Sequence, residues 1–352
     1  MMKKLLIPLS VALALLAGAA CTQPVEQPAE TGSVELHFSI GEPSTRTVTT
    51  PGDGNVADGG GIYLNAGVPD LKIFIAVAGN IVARYPDPSL SPDPANTSTL
   101  ITASSTAASV KFTGLDSNVT YKVYAFANTG DASLTVNDAP NWNTVSTTAA
   151  LDALVFTALG GNTPPSVNDR MPLSAKGTLS VNAQGSGSVD LELLRSLAKV
   201  QVTFKNLTAS ALTLTDCNVS ITSINPTQGY VFQPAGDDLT GTRRTLTFPQ
   251  QTLDNITTPE GTKSLNPILV FPSTAELQGG YPRYLCSIAF SVGGTPYSFP
   301  NLPVHNSLSQ DITSLGRNQF LKIEVRISKG QDISFNFEVA NWEPKSESVQ
   351  FD

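Results

Sequence analysis

Two histidines, three cysteines and one isolated arginine are the side chains of this 352-residue chain from which chemistry could start. His37 and His305 stand nearly the whole chain apart. The first falls on the polar side of an alternating stretch, the second in a Pro/Asn loop. Acyl transfer needs an imidazole beside a nucleophile, with a carboxylate to orient it, and no G-x-S-x-G elbow supplies that nucleophile. No Cys/His set has zinc spacing. Asp53, Asn55 and Asp58 lie in PGDGNVADGGG at 51–61, and calcium takes hard oxygen ligands of this kind. The segment lacks the D-x-[DN]-x-[DN]-G order and a closing Glu, so a solvated loop is the plainer reading. No phosphate-cradling glycine motif follows a strand, and nothing points to a pair of glycosidase carboxylates. The expectation is a chain without catalytic machinery, cofactor or metal.

What remains is chemistry done to the chain. It opens MMKKLLIPLSVALALLAGAAC, with Lys3 and Lys4 ahead of an apolar run at 5–16 and then small residues. That is the layout of a signal peptide over 1–20, and the run is shorter than the roughly 20 residues that span a bilayer. No later stretch offers a second candidate. Cys21 stands at the cleavage point, as in a bacterial lipobox, where the Cys becomes the first mature residue and carries lipid. Gly18 fills a place where that pattern favours a branched apolar residue, and cleavage at an A-x-A-like site with Cys21 incidental is the competing reading. Two or more acyl chains anchor stably where one is marginal. TQPVEQPAETGS then has too little apolar surface to order itself, which predicts a tether over 21–32. Arg46, in GEPSTRTVTTPGDG, is the only Lys or Arg between Lys4 and Lys72. Its Pro, Ser, Thr and Gly neighbours predict an exposed segment open to nicking between Arg46 and Thr47; a solvated linker Arg is the alternative. Cys217 and Cys286 are left. An exported compartment permits a disulfide between them, and two buried free thiols suit the apolar contexts DCNVSI and LCSIAF at least as well.

The elements that position these residues read as strands. Charged residues are 14%, with 27 Gly and 25 Pro, a mixture that favours short strands and frequent turns. The net charge of −8, with no basic cluster, argues against a nucleic-acid partner. Val34, Leu36, Phe38 and Ile40 alternate with polar residues, giving a strand with one apolar face. The run at 71–79 looks covered on both faces. Stretches 110–115 and 120–128 read as a hairpin, 151–156 as a short helix, and 170–193 as two strands around a Gly/Ser turn. Near the end Ile333, Phe335, Phe337 and Val339 alternate, and Trp342, Val349 and Phe351 follow. About 330 residues remain after the leader, enough for two domains. The reading is all-β: two β-sandwich domains of transthyretin-like or Greek-key type in tandem, at 47–186 and 187–352, with few short helices.

Four segments together resemble the fimbrillins, the type V pilus subunits of Bacteroidia. They are AGAAC at 17–21, the strand plus STRT at 33–47, RMPLSAKG with LLRSLAKVQV around 170–202, and RNQFLKIEVRISKG…VANWEP…VQFD at 317–351. The resemblance implies export as a lipoprotein through Cys21 to the outer-membrane surface. It implies a cut by an Arg-specific protease at Arg46 and loss of the strand at 33–46. It further implies that a strand of another subunit, from its C-terminal segment, fills the opened groove and builds the fimbria. Physically, losing four apolar side chains and a row of backbone partners leaves a template for another strand. A groove on one face and a donor on another give an open filament. The donor candidates are the run with Ile333, Phe335, Phe337 and Val339, which reads better as an internal strand, and the tail with Trp342, Val349 and Phe351. The alternative is a surface lipoprotein that binds glycan or host protein without polymerising, through Trp142 or the Tyr/Pro loops at 281–299.

Overall fold

Val, Ile, Thr and aromatic residues crowd the turns of a helix but fit a pleated backbone, and the regular structure here is almost all strand. The computed structural model describes residues 32–40, 61–62, 64–86, 97–128, 134–136, 144–158, 171–232, 243–258, 260–330 and 332–341. The strands of the four sheets that form the two sandwiches are numbered in chain order. In the first half they are β1 (Ser33–Ser39), β2 (Leu71–Val77), β3 (Asn80–Tyr85), β4 (Thr97–Ala103), β5 (Ala107–Thr113), β6 (Thr120–Ala127), β7 (Leu173–Ser180), β8 (Gly187–Glu192) and β9 (Leu194–Arg195). In the second half they are β10 (Ala198–Asn206), β11 (Leu212–Ile224), β12 (Arg244–Thr247), β13 (Gln251–Ile256), β14 (Thr262–Ser264), β15 (Ile268–Val270), β16 (Leu285–Val292), β17 (Thr295–Pro303), β18 (Gln319–Ile327) and β19 (Ile333–Asn341).

Two sheets enclose the first core. One runs β8–β1–β5–β4, the other β9–β7–β6–β2–β3. The turn from β2 to β3 needs positive φ at both central residues, and Ala78 (49°) and Gly79 (86°) supply it, matching the twist of the flanking strands. The second core lies between β14–β10–β18–β19, with β15 also on β10, and β12–β11–β16–β17, with β13 also on β11. Each core contains one parallel pair, β1 with β8 and β10 with β18. All of this belongs to one compact unit, Gly32–Asp352.

The cores change over at Leu197 and Ala198, not near residue 186. β8 hydrogen-bonds along β1, and β9 along β7, so 187–197 close the first sandwich. The Gly/Ser turn at 182–186 connects two sheets of one sandwich. The expected hairpin of 110–115 with 120–128 does not form either. β5 pairs with β1 and β4, while β6 pairs with β2 and β7, so the chain crosses from one sheet to the other. The helix expected at 151–156 lies earlier, as α1 (Thr148–Asp152), with Thr147 Oγ1 accepting from Ala150 N. Val155–Ala158 is instead a strand between Gln228–Tyr230 and Leu134–Val136. No helix among the described residues is long and apolar enough to cross a membrane.

Candidate functional site

β1 lies inside its sheet, and its alternation decides what it buries. Val34, Leu36, Phe38 and Ile40 are all buried. Across β5 they meet Phe112, Val110 and Ala108, and beside them on β8 stand Val189 and Leu191. Each such side chain contributes roughly 1.5–3 kcal/mol when buried, an upper bound because an unfolded chain already hides part of its surface. Both edges of β1 are in use, one in a parallel ladder with β8 and one in an antiparallel ladder with β5. Taking β1 away therefore opens a slot about 10 Å wide, two inter-strand spacings, with an unpaired backbone on each side and the core as its floor.

The ends of the slot are defined as well. At the start of β1, Gly32 passes so close to the backbone of Gly185 that no Cβ fits between them. The turn carrying Gly185 is braced by Asn182 Oδ1, which accepts from Gln184 N and Ser186 N at 2.9 Å each. At the other end Ser39 O accepts from Leu193 N at 2.8 Å, and Ile40 N donates to Thr106 O at 3.1 Å.

The outer face of β1 carries His37, with Nδ1 3.1 Å from Ser109 Oγ and Nε2 3.8 Å from a Glu35 oxygen. These are the residue types of a hydrolytic triad, but they lie on an open strand face. The surrounding backbone N–H groups belong to the ladders on either side, so no pair of donors is left to hold an oxyanion. His305 is elsewhere, half-buried beside the second core, with its ring 5.7 Å from Phe337. Among the described residues no three His, Cys, Asp or Glu gather as a metal site.

Cys217 and Cys286 are free and buried, which removes the disulfide alternative. They sit on neighbouring strands, β11 and β16, but out of register: Cys286 faces Ile221, four residues beyond Cys217. Burial, with Asp216 adding to it, pushes the Cys217 thiol up to about 11, and burial alone pushes Cys286 up to about 12.

The candidate donor run is β19, which among the described residues is an edge strand with β18 as its one partner. Phe337 is buried there, while Ile333, Phe335 and Val339 are half-buried; Phe335 packs edge-on against Phe299 of β17 at 4.9 Å. Cys21, Arg46, Thr47, Asp53, Asn55, Asp58, Trp142, Trp342, Val349 and Phe351 lie outside the described residues.

The profile of the family described as fimbrillin-A associated anchor proteins Mfa1 and Mfa2 matches residues 41–348. The chain belongs to that family. The match begins just after β1. A fimbrilin (fimA) from Porphyromonas gingivalis W83 superposes with a TM-score of 0.51 at 10% identity, covering 89% of this chain and 99% of that one. A candidate cell adhesion protein from Bacteroides eggerthii DSM 20697 superposes with a TM-score of 0.52 at 16% identity, covering 90% and 97%. At these identities the structures speak for the shared fold. No curated protein sequence matches the chain. This Mfa-family member is thus a structural protein of fimbriae and not an enzyme. It acts at the cell surface or in the fimbria, in association with other fimbrial subunits.

Sequence reasoning missed one set of residues. Ser174, Arg195, Ser196, Arg317 and Asn318 come from the two resemblance segments at 170–202 and 317–351, and they meet at the seam between the cores. The available signal was an arginine with a polar neighbour placed against apolar residues, in LLRSL and RNQFL.

Proposed function

We propose that this fimbrial protein is a stalk or tip subunit polymerised by strand exchange. It reaches the outer membrane as a lipoprotein through Cys21 and is cut after Arg46 by an Arg-specific surface protease. It then loses β1 and accepts a strand of another subunit in the vacated slot. The observation that carries this reading is the interior position of β1 between β8 and β5. Loss of an edge strand leaves a sheet one strand narrower, with one free edge. Loss of β1 leaves two facing edges and an apolar floor, which a strand of alternating apolar residues refills on both sides. The tail with Val349 and Phe351 is the favoured donor; the run from Ile333 to Val339, followed by Trp342, would first have to leave β18. A donor on one face and a slot on another propagate as a filament.

The test is digestion of the chain from residue 22 onward with an Arg-specific protease, followed by mass spectrometry and size-exclusion chromatography. A cut between Arg46 and Thr47 followed by a ladder of oligomers is the expected result. A clean cut that leaves a stable monomer contradicts polymerisation. The family description names anchors, and this favours a second reading in which β1 and the lipid stay and the subunit ends the fibre at the membrane. Resistance of Arg46 to the protease, with no oligomers, selects that reading.

A further inference from the structure

Arg317 stands on the turn that leads into β18 of the second core, yet its guanidinium is spent entirely on the first core and the connecting chain. Nη1 donates to Val231 O at 3.0 Å; Nη2 donates to Ser174 Oγ at 2.5 Å and to Ser196 Oγ at 2.6 Å. Ser174 belongs to β7 and in turn donates to Val231 O at 2.7 Å. A second arginine reaches the opposite way: Arg195 Nη1 of β9 donates to Asn318 Oδ1 at 2.9 Å, and Asn318 N donates to Leu197 O at 3.0 Å. Ser174, Ser196 and Val231 are buried, and Arg317 Nε is shut away from solvent without a partner among the described residues.

Two physical points single this site out. A buried guanidinium is normally paired with a carboxylate, and no carboxylate pairs with Arg317 among the described residues. Burial pulls it down to about 10, so it remains charged at neutral pH. A charged donor held by neutral acceptors makes strong hydrogen bonds but relinquishes hydration. The net gain in plain stability is therefore small, while the geometry of the bonds can select one arrangement of partners. In this seam what is selected is orientation, because the acceptors lie on one sandwich and the donor on the other.

We propose that Arg317, with Ser174, Ser196 and the Val231 carbonyl, is a clasp that holds the two β-sandwiches at one fixed angle, so that a pull on either is borne by both. Apolar contacts across the seam, Leu269 and Phe320 against the first core, supply adhesion but little direction. The planar guanidinium supplies direction, because its fork fits one arrangement of acceptors. The clasp also adjoins the slot: Ser196 lies three residues beyond Leu193, whose N–H closes on the end of β1. The proposal stands whether or not β1 is exchanged.

The test uses the chain from residue 22 onward and its Arg317→Met variant, which keeps length and apolar stem but no donors. Arg195, 3% exposed, is the reporter. Trypsin is applied under native conditions, and cleavage of the Arg195–Ser196 bond is followed by mass spectrometry, with calorimetry in parallel. The expected result is cleavage there roughly tenfold faster or more, because losing charge-assisted bonds raises the open population by about that factor, together with a single melting transition split into two. Unchanged cleavage at Arg195 with one transition overturns the proposal. If Arg317→Met does not fold, Ser174→Ala, which removes one acceptor of Arg317 and leaves the Arg195–Ser196 bond unchanged, decides by the same readout. Faster cleavage supports the clasp, and protection equal to the parent chain overturns it.

Discussion

β1 and β19 make the instructive comparison. Both are amphipathic stretches with four alternating apolar residues, Val34–Leu36–Phe38–Ile40, the last just past the end of β1, and Ile333–Phe335–Phe337–Val339. β1 is enclosed by a strand on each side and has its inward residues covered; among the described residues β19 has one neighbour, a free edge and mostly half-buried residues. A strand with two ladders is the closure of its sandwich, while a strand with one ladder is an addition to it. β18 sharpens the contrast. Like β1 it has a parallel neighbour and an antiparallel one, but a tight turn ties it to β19, with Ser328 N donating to Asp332 O at 2.9 Å. In the strand-exchange reading it is a cut after Arg46 that would make β1 the separable strand.

The largest effect that could break the comparison is Phe38→Ala. Its ring is completely covered, and such truncations cost about 3–5 kcal/mol, which chemical denaturation would read as a lower midpoint with little change of slope. A loss no greater than that from Phe335→Ala would remove the distinction between enclosed and added strands. A second effect separates the sandwiches that carry the two strands. Cys217 and Cys286 both lie in the second core, with folded values raised to about 11 and about 12, against an ordinary 9.0. A raised value favours the neutral thiol in the folded state, so this stabilisation is complete below pH 9 and fades as the pH climbs through 9 towards 12. In the first core the buried tyrosines Tyr85, Tyr121 and Tyr124 are raised from 10.0, so their contribution begins to fade only above pH 10. Denaturant midpoints measured between pH 9 and 10 should therefore fall in the parent chain. They should fall less steeply in a Cys217→Ala, Cys286→Ala double variant, and equal slopes would contradict the assignment. The smallest effect is Phe335→Ala, about 1–2 kcal/mol for a half-covered ring. A cost as large as that of Phe38→Ala would mean that β19 closes its sandwich as β1 does.

Much of the fold could be read from local pattern. The period-two alternation at 34–40 placed β1 and its buried face correctly, because burying one side of a pleated strand leaves little freedom in which residues point inward. The run at 71–79 read as covered on both faces, and β2 is buried in that way. The errors share a cause. Strands 110–115 and 120–128 are close in sequence and look like a hairpin, and the Gly/Ser turn at 182–186 looks like a linker, yet both connect opposite sheets of one sandwich. A turn signal says that the chain reverses, not whether it pairs with itself or crosses to the facing sheet. The seam residues stayed hidden for a related reason: Ser174 and Arg317 are 143 residues apart, and nothing local links them.

The sequence by itself therefore determined the class of the protein: all strands, the residues that face inward, the absence of paired histidines, and the ordered segments shared with fimbrial subunits. These follow from side-chain chemistry and short-range periodicity. Only the tertiary structure decided that β1 lies between β8 and β5, that β19 is an edge, that the cores meet at Leu197 and Ala198, and that Arg317 reaches across the seam. Strand order and inter-sheet crossing depend on contacts between distant segments, whose energies no local window of the chain contains.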